Sequence, residues 1–233
     1  MPLTRHDART LGQLLCDTTE EVLWAPSRDR IRRQRPGARL ECRVGSGQAT
    51  WHRFDPALRQ HCITYGVRMI LAKYQADTAA GWLSAREIRK RRYFDGRVST
   101  RTLLAHTCCH EFAHLLQQVA GQRLRGSVHN QHFYHILDEL HASGAASEVK
   151  DRLTEGALKN GLPFPDSSFE SPPALVSQTL WQAGDRVTFG SRGRCHTGLI
   201  QRVNRKTCTV KGTGPSTGLR YRVPFSLLSR PEP

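Results

Sequence analysis

The chain has 233 residues, 38% of them hydrophobic, and carries 35 Lys and Arg against 20 Asp and Glu for a net charge of +15. That length supports one full core or a larger and a smaller one. No apolar run reaches the eighteen or so residues of a membrane helix and the amino terminus is polar, so a membrane role is excluded and a soluble, cytoplasmic protein expected. Seven scattered cysteines without a C-x-x-C pair exclude a disulfide framework and a zinc ribbon.

The first predicted element is an amphipathic helix over residues 8 to 24, with Leu11, Leu14, Leu15, Val22 and Leu23 on one side. Arginines 28, 30, 32, 33, 35, 39 and 43 then gather around Pro36-Gly37, which predicts a basic loop leading into a strand. Three strands follow, over Leu40–Val44, Ala49–Phe54 and Ile63–Leu71. A helix is predicted from Ala79 to Tyr93, with Ser84 and Glu87 at capping-box spacing. Its run Arg89, Lys90, Arg91 and Arg92 spreads charge around the circumference, as phosphate contacts would require.

Residues 103 to 120 hold no proline or glycine and carry His110-Glu111-Phe112-Ala113-His114, an H-E-x-x-H pattern. On a helix the two histidines stand one turn apart on one face, with Glu111 beside them. A catalytic zinc needs three protein ligands and an open position. Gly121 and Gly126 loosen the backbone before a second helix begins near Ser127, and the third donor is expected there: His129 or His132, with Asp138 and Glu139 as oxygen alternatives. A further helix covers residues 145 to 159.

The stretch from His110 to Leu137 resembles the SprT-like (Spartan-type) zinc metalloproteases, in which an H-E-x-x-H helix is followed, after a loop, by a histidine in an H-G-x-x-[FW] pattern at the start of a second helix. The resemblance implies His110, His114 and His129 as ligands of one catalytic zinc ion and Glu111 as the general base, with Phe133 on the aromatic position. Asn130 stands where the family often has glycine, and His132 where it often has an acidic residue. The resemblance further implies that one of the three strands lies beside the metal helix and pairs with extended substrate.

Pro163, Pro165, Pro172 and Pro173 among serines and phenylalanines predict a linker over 161–180. Beyond it, four short strands near residues 184–189, 197–203, 207–210 and 219–224 resemble a small SH3-like barrel of the KOW or Tudor sort. In the last, Leu219, Tyr221 and Val223 are expected on the core face and Arg220 and Arg222 outside. Residues 181 to 233 carry 10 Lys and Arg against 2 Asp and Glu, so Arg202, Arg205, Lys206, Arg220 and Arg222 are expected to meet a nucleic-acid backbone, DNA being favoured.

The fold expected is α+β: an SprT-like domain over residues 1–160, the linker, and a basic β-barrel over 181–233. The function expected is a zinc-dependent endopeptidase acting on DNA-associated or DNA-crosslinked proteins. The alternative is a non-catalytic nucleic-acid-binding protein with a structural zinc.

Overall fold

The structure, a computed structural model, describes residues 3–79, 81–124, 126–169, 181–191, 194–204 and 207–231. It is α+β and divides into two compact units, Met1–Glu170 and Ser171–Pro233. The first opens with α1 (Arg5–Thr18), started by a reciprocal cap: Asp7 N donates to Thr4 Oγ1 at 3.1 Å and Thr4 N donates to Asp7 Oδ2 at 3.0 Å. The helix does not end at Trp24. A π-helical turn, Thr19–Trp24, carries it into α2 (Ala25–Gln34), so the arginines at 28, 30, 32 and 33 are helical, not in a loop. Pro26 follows directly on the π-helical turn, in the first turn of α2.

A three-stranded sheet follows: β1 (Arg39–Gly45), β2 (Trp51–Asp55) and β3 (Gln60–Gly66) in the order β1-β3-β2, with β1 parallel and β2 antiparallel to β3. β3 stops five residues short of its expected end. Gly66 passes so close to the Gly47 carbonyl that a Cβ there would lie 2.4 Å from the oxygen, and the chain then winds into α3 (Val67–Lys73). The apolar run Val67–Leu71 fits a buried helix as well as a buried strand.

After α4 (Ala76–Ala79) comes α5 (Leu83–Arg91), whose N-cap is Trp82. The expected Ser84–Glu87 capping box is not made. Arg92, Phe94, Asp95 and Gly96 then all adopt positive φ, between 49° and 76°, a left-handed corner that costs roughly 1–2 kcal/mol per non-glycine residue. It turns the chain into α6 (Thr100–Val119), capped by Ser99 with Thr102.

Sixteen of the twenty α6 residues are buried, so this is a core helix covered on every side rather than an amphipathic surface one. Leu103, Leu104, Cys108, Phe112 and Leu115 are fully enclosed. Cys108 and Cys109 are packing residues, and burial pushes the Cys108 thiol up to about 11. The helix ends in a Schellman turn, with Gln122 N donating to Gln117 O at 3.0 Å and Gly121 N to Gln118 O at 3.1 Å around Gly121 at φ 70°. α7 (Gln131–Ala142) and α8 (Ala145–Lys159) then pack on α6.

Residues 161–169 are not a linker. Phe164 is buried, Phe169 N donates to Val98 O at 2.7 Å, Tyr74 Oη to Pro163 O at 2.7 Å and Ser99 Oγ to Asp166 Oδ1 at 3.0 Å. The remainder of the expected linker, 170–180, lies outside the described residues.

The second unit is a five-stranded antiparallel sheet, β4 (Arg186–Ser191), β5 (Arg194–Val203), β6 (Thr207–Thr213), β7 (Arg220–Pro224) and β8 (Leu228–Ser229), in the order β7-β6-β5-β4-β8. Its core is Val187, Phe189, Ile200, Cys208, Val210 and Val223. Leu219, expected on the core face, precedes β7 and is exposed.

Candidate metal centre

The centre grows from the middle of α6. His110 and His114, one turn apart, face the same side, and His129, one residue before the cap of α7, turns back toward them. The Nε2 atoms of His114 and His129 are 3.1 Å apart, as are those of His129 and His110. A tetrahedral zinc with nitrogens at about 2.0–2.1 Å holds its ligand atoms roughly 3.3 Å from one another, so the spacing fits such an ion.

Proton positions make the same point independently. His110 Nδ1 is 3.0 Å from Glu87 Oε2, and a carboxylate only accepts, so the His110 proton is on Nδ1. Gln117 donates its amide to Val128 O at 3.0 Å and Asn130 Oδ1 at 2.9 Å, which turns its Oε1 toward His114 Nδ1 at 3.5 Å and places that proton on Nδ1 as well. Two imidazoles therefore present bare Nε2 lone pairs to one point, and His129 can donate to only one of them. Such a set favours a cation.

Asn130 has a local role. Its side chain caps α7 by accepting from Phe133 N at 3.0 Å, accepts from Gln117, and donates to Gln122 O at 3.1 Å. One amide thus ties the end of α6 to the start of α7 and fixes the approach of His129. His132 is exposed on α7 and takes no part; Asp138 is committed to Arg91 and Tyr93, and Glu139 pairs with His135 at the surface.

Glu111 sits beside the triad at the wall of a cleft of about 280 Å³. Burial raises its carboxyl above the usual range, while His110, Lys73 and Arg123 pull the other way. Trp51 and His52 of β2 form another wall, and β2 has no partner strand on its outer side among the described residues. Two cations line the cleft. Lys73, buried on α3, donates to Leu103 O and to Thr107 Oγ1 beneath the Trp82 ring, and burial lowers its ammonium to about 8. Arg123 donates through Nη1 to His52 Nδ1 at 2.7 Å, which leaves the His52 proton on Nε2, 2.9 Å from His61 Nδ1. Burial drives His52 down to about 2, His61 to about 4 and His114 to about 3, so all three are neutral at pH 7.

Neither a family model, nor a curated protein, nor a solved structure matches this chain.

Sequence reasoning missed Glu87, His106, His141, His52 and Arg123. Glu87 passed for a capping residue, whereas it joins His106 and His110, and His141 joins His106. No spacing rule links residues on three different helices.

Of the expected nucleic-acid contacts, Arg91 is engaged within the first unit, donating to both oxygens of Asp138 at 2.7 and 2.9 Å and stacking 4.0 Å from the Tyr134 ring centroid. Lys90 and Arg92 are exposed and Arg89 half-buried. In the second unit the register sets Arg202, Thr209 and Arg222 side by side across β5, β6 and β7, with Lys211 beside Arg220 in the neighbouring row. All four cations are exposed, and the only carboxylates from residue 181 onward are Asp185 and Glu232. Arg205 and Lys206 lie outside the described residues.

Proposed function

We propose that the chain is a zinc-dependent endopeptidase of the SprT-like type, acting on proteins held on DNA. The observation that carries this is the convergence of the His110, His114 and His129 Nε2 atoms beside the Glu111 carboxylate, in a cleft bordered by the free edge of β2. Zinc held by the three histidines would supply a Lewis acid for water and for the scissile carbonyl.

The chain's own residues do the rest. An extended peptide adds to β2 through main-chain hydrogen bonds, which brings its carbonyl over the cleft. Glu111 takes the proton of the attacking water as the O–C bond forms, and the carbonyl π electrons move onto oxygen. As the C–N bond breaks, Glu111 returns that proton to the leaving nitrogen. A carboxyl raised by its surroundings suits both halves of the exchange. Arg123, steadied by His52, has three of its five N–H groups left over and faces the charge that grows on the carbonyl oxygen. Arg123→Ala is expected to lower kcat about 100-fold or more with KM and zinc content nearly unchanged, as steady-state kinetics and metal analysis would show. Loss in KM alone would assign Arg123 to substrate binding instead.

The cationic face of the second unit concentrates the protease on DNA through phosphate contacts that carry no sequence information. Arg202→Ala and Arg222→Ala are each expected to weaken binding to unrelated duplexes alike and to reduce the slope of log K against log salt by about one, read by fluorescence anisotropy of a labelled duplex. An unchanged slope would remove this face from the DNA interface.

A further inference from the structure

Behind His110 lies a second set of side chains that the cleft does not use. Glu87, on α5 and 4% exposed, offers one oxygen, Oε2, to two imidazoles: His106 Nε2 at 2.9 Å and His110 Nδ1 at 3.0 Å. Its other oxygen is buried without a hydrogen-bond partner among the described residues, so the two imidazole N–H groups supply the hydrogen bonds to this carboxylate there. His106, wholly buried, continues the chain from Nδ1 to His141 Nε2 at 3.0 Å. His141 in turn stacks on Tyr93 with ring centroids 3.7 Å apart and planes within 3°, at the wall of a separate cleft.

One charge orders every proton along this path. Glu87 accepts from both neighbours, so His110 and His106 each point an N–H at it. His106 is then left with a lone pair on Nδ1, which must accept, and His141 carries its proton on Nε2. An imidazole free of such a partner divides its proton between the two nitrogens. Tied to a buried carboxylate, His110 keeps Nε2 bare and more electron-rich, and its ring cannot turn about χ2 without breaking the bond.

Resting on the zinc reading above, we propose that Glu87 is the positioning residue of the metal centre, holding His110 in the Nδ1–H form, and that His106 and His141 in turn hold Glu87. The affinity of the site for zinc then depends on α5 and on the His106–His141 pair as well as on the three ligands. The donors of Glu87, His106 and His110 also lie within 4.8 Å of one another, a group that a second ion could enter. Contacts of 2.9 and 3.0 Å onto a single oxygen have the length of hydrogen bonds.

The test uses the whole chain and zinc alone. Wild type should bind one zinc ion, and chelator competition should show Glu87→Gln weakening it about 10- to 100-fold, with the visible bands of the cobalt-substituted protein shifted and the circular dichroism of the metal-free protein unchanged. His141→Gln, one bond further out, should weaken zinc less than Glu87→Gln. Equal affinity in Glu87→Gln and wild type overturns the proposal while leaving the zinc site intact; failure of wild type to bind zinc overturns the site itself. Two zinc ions in wild type and one in His106→Gln would make the Glu87 group a second metal site and overturn the positioning role. Should Glu87→Gln not fold, long-range proton–nitrogen spectra of the metal-free wild-type imidazoles decide: His110 protonated at Nδ1 supports the proposal, and protonation at Nε2 overturns it.

Discussion

Glu111→Gln is expected to keep its zinc and to lose cleavage of a DNA-bound protein by about 100- to 10,000-fold, the range that a positioned general base contributes. The substitution keeps the size of the side chain and removes only its capacity to take a proton. Because Glu111 points to the cleft wall while the three imidazoles converge next to it, the metal set should not notice the change. His129→Ala separates the two roles from the other side: it takes one of three nitrogens from the ion, so zinc content and cleavage should fall together. Metal analysis beside gel-based cleavage of a crosslinked protein gives both readouts in one preparation. If Glu111→Gln cleaves as wild type does, the hydrolytic reading fails and a cationic binder with a structural metal remains.

How much of this was legible beforehand varies with the range of the interaction. The α6 motif was legible because H-E-x-x-H is a local statement: the spacing of His110 and His114 on a helix needs no knowledge of the fold. His129 came within reach because a family pattern names that position, although His132 fits the periodicity of α7 equally well. Elements whose identity depends on tertiary context were misjudged. Val67–Lys73 is apolar enough for either state, and the close pass of Gly66 under Gly47, invisible in sequence, ends the strand. The arginines at 28–33 suggested a loop through charge alone, yet the helix they extend is held by its other face, where Ile31 is buried. Glu87 shows the limit most sharply. Its spacing from Ser84 is that of a cap, and what recruits it instead are two histidines 19 and 23 residues away on another helix.

The metal-free protein is expected to lose stability steeply as pH falls from 6.5 toward 4. His52, His61 and His106 are at most 5% exposed, and burial holds them at about 2, 4 and 4. In the unfolded chain they titrate near 6.5. Between those values the unfolded state binds more protons than the folded one, so stability is fully present above about pH 6.5 and drains away on acidification. These three protons alone give a slope on the order of 4 kcal/mol per pH unit near pH 5, and His114 and His141, which burial holds at about 3, add to it, against a total stability of roughly 5–15 kcal/mol for a domain. Glu87, which its two histidine hydrogen bonds hold low against the effect of burial, adds to the loss only below the range of an ordinary glutamate. Glu111 works in the opposite sense, since a raised carboxyl costs stability once the pH exceeds its unfolded value. Urea titrations at half-unit steps from pH 7.5 to 4.5 would give the slope directly. His106→Gln, a neutral side chain of similar reach, should flatten it by about one proton, near 1.4 kcal/mol per pH unit. A slope unaffected by that substitution would mean that His106 is protonated in the folded protein, and the proton order deduced from Glu87 outward would then be wrong.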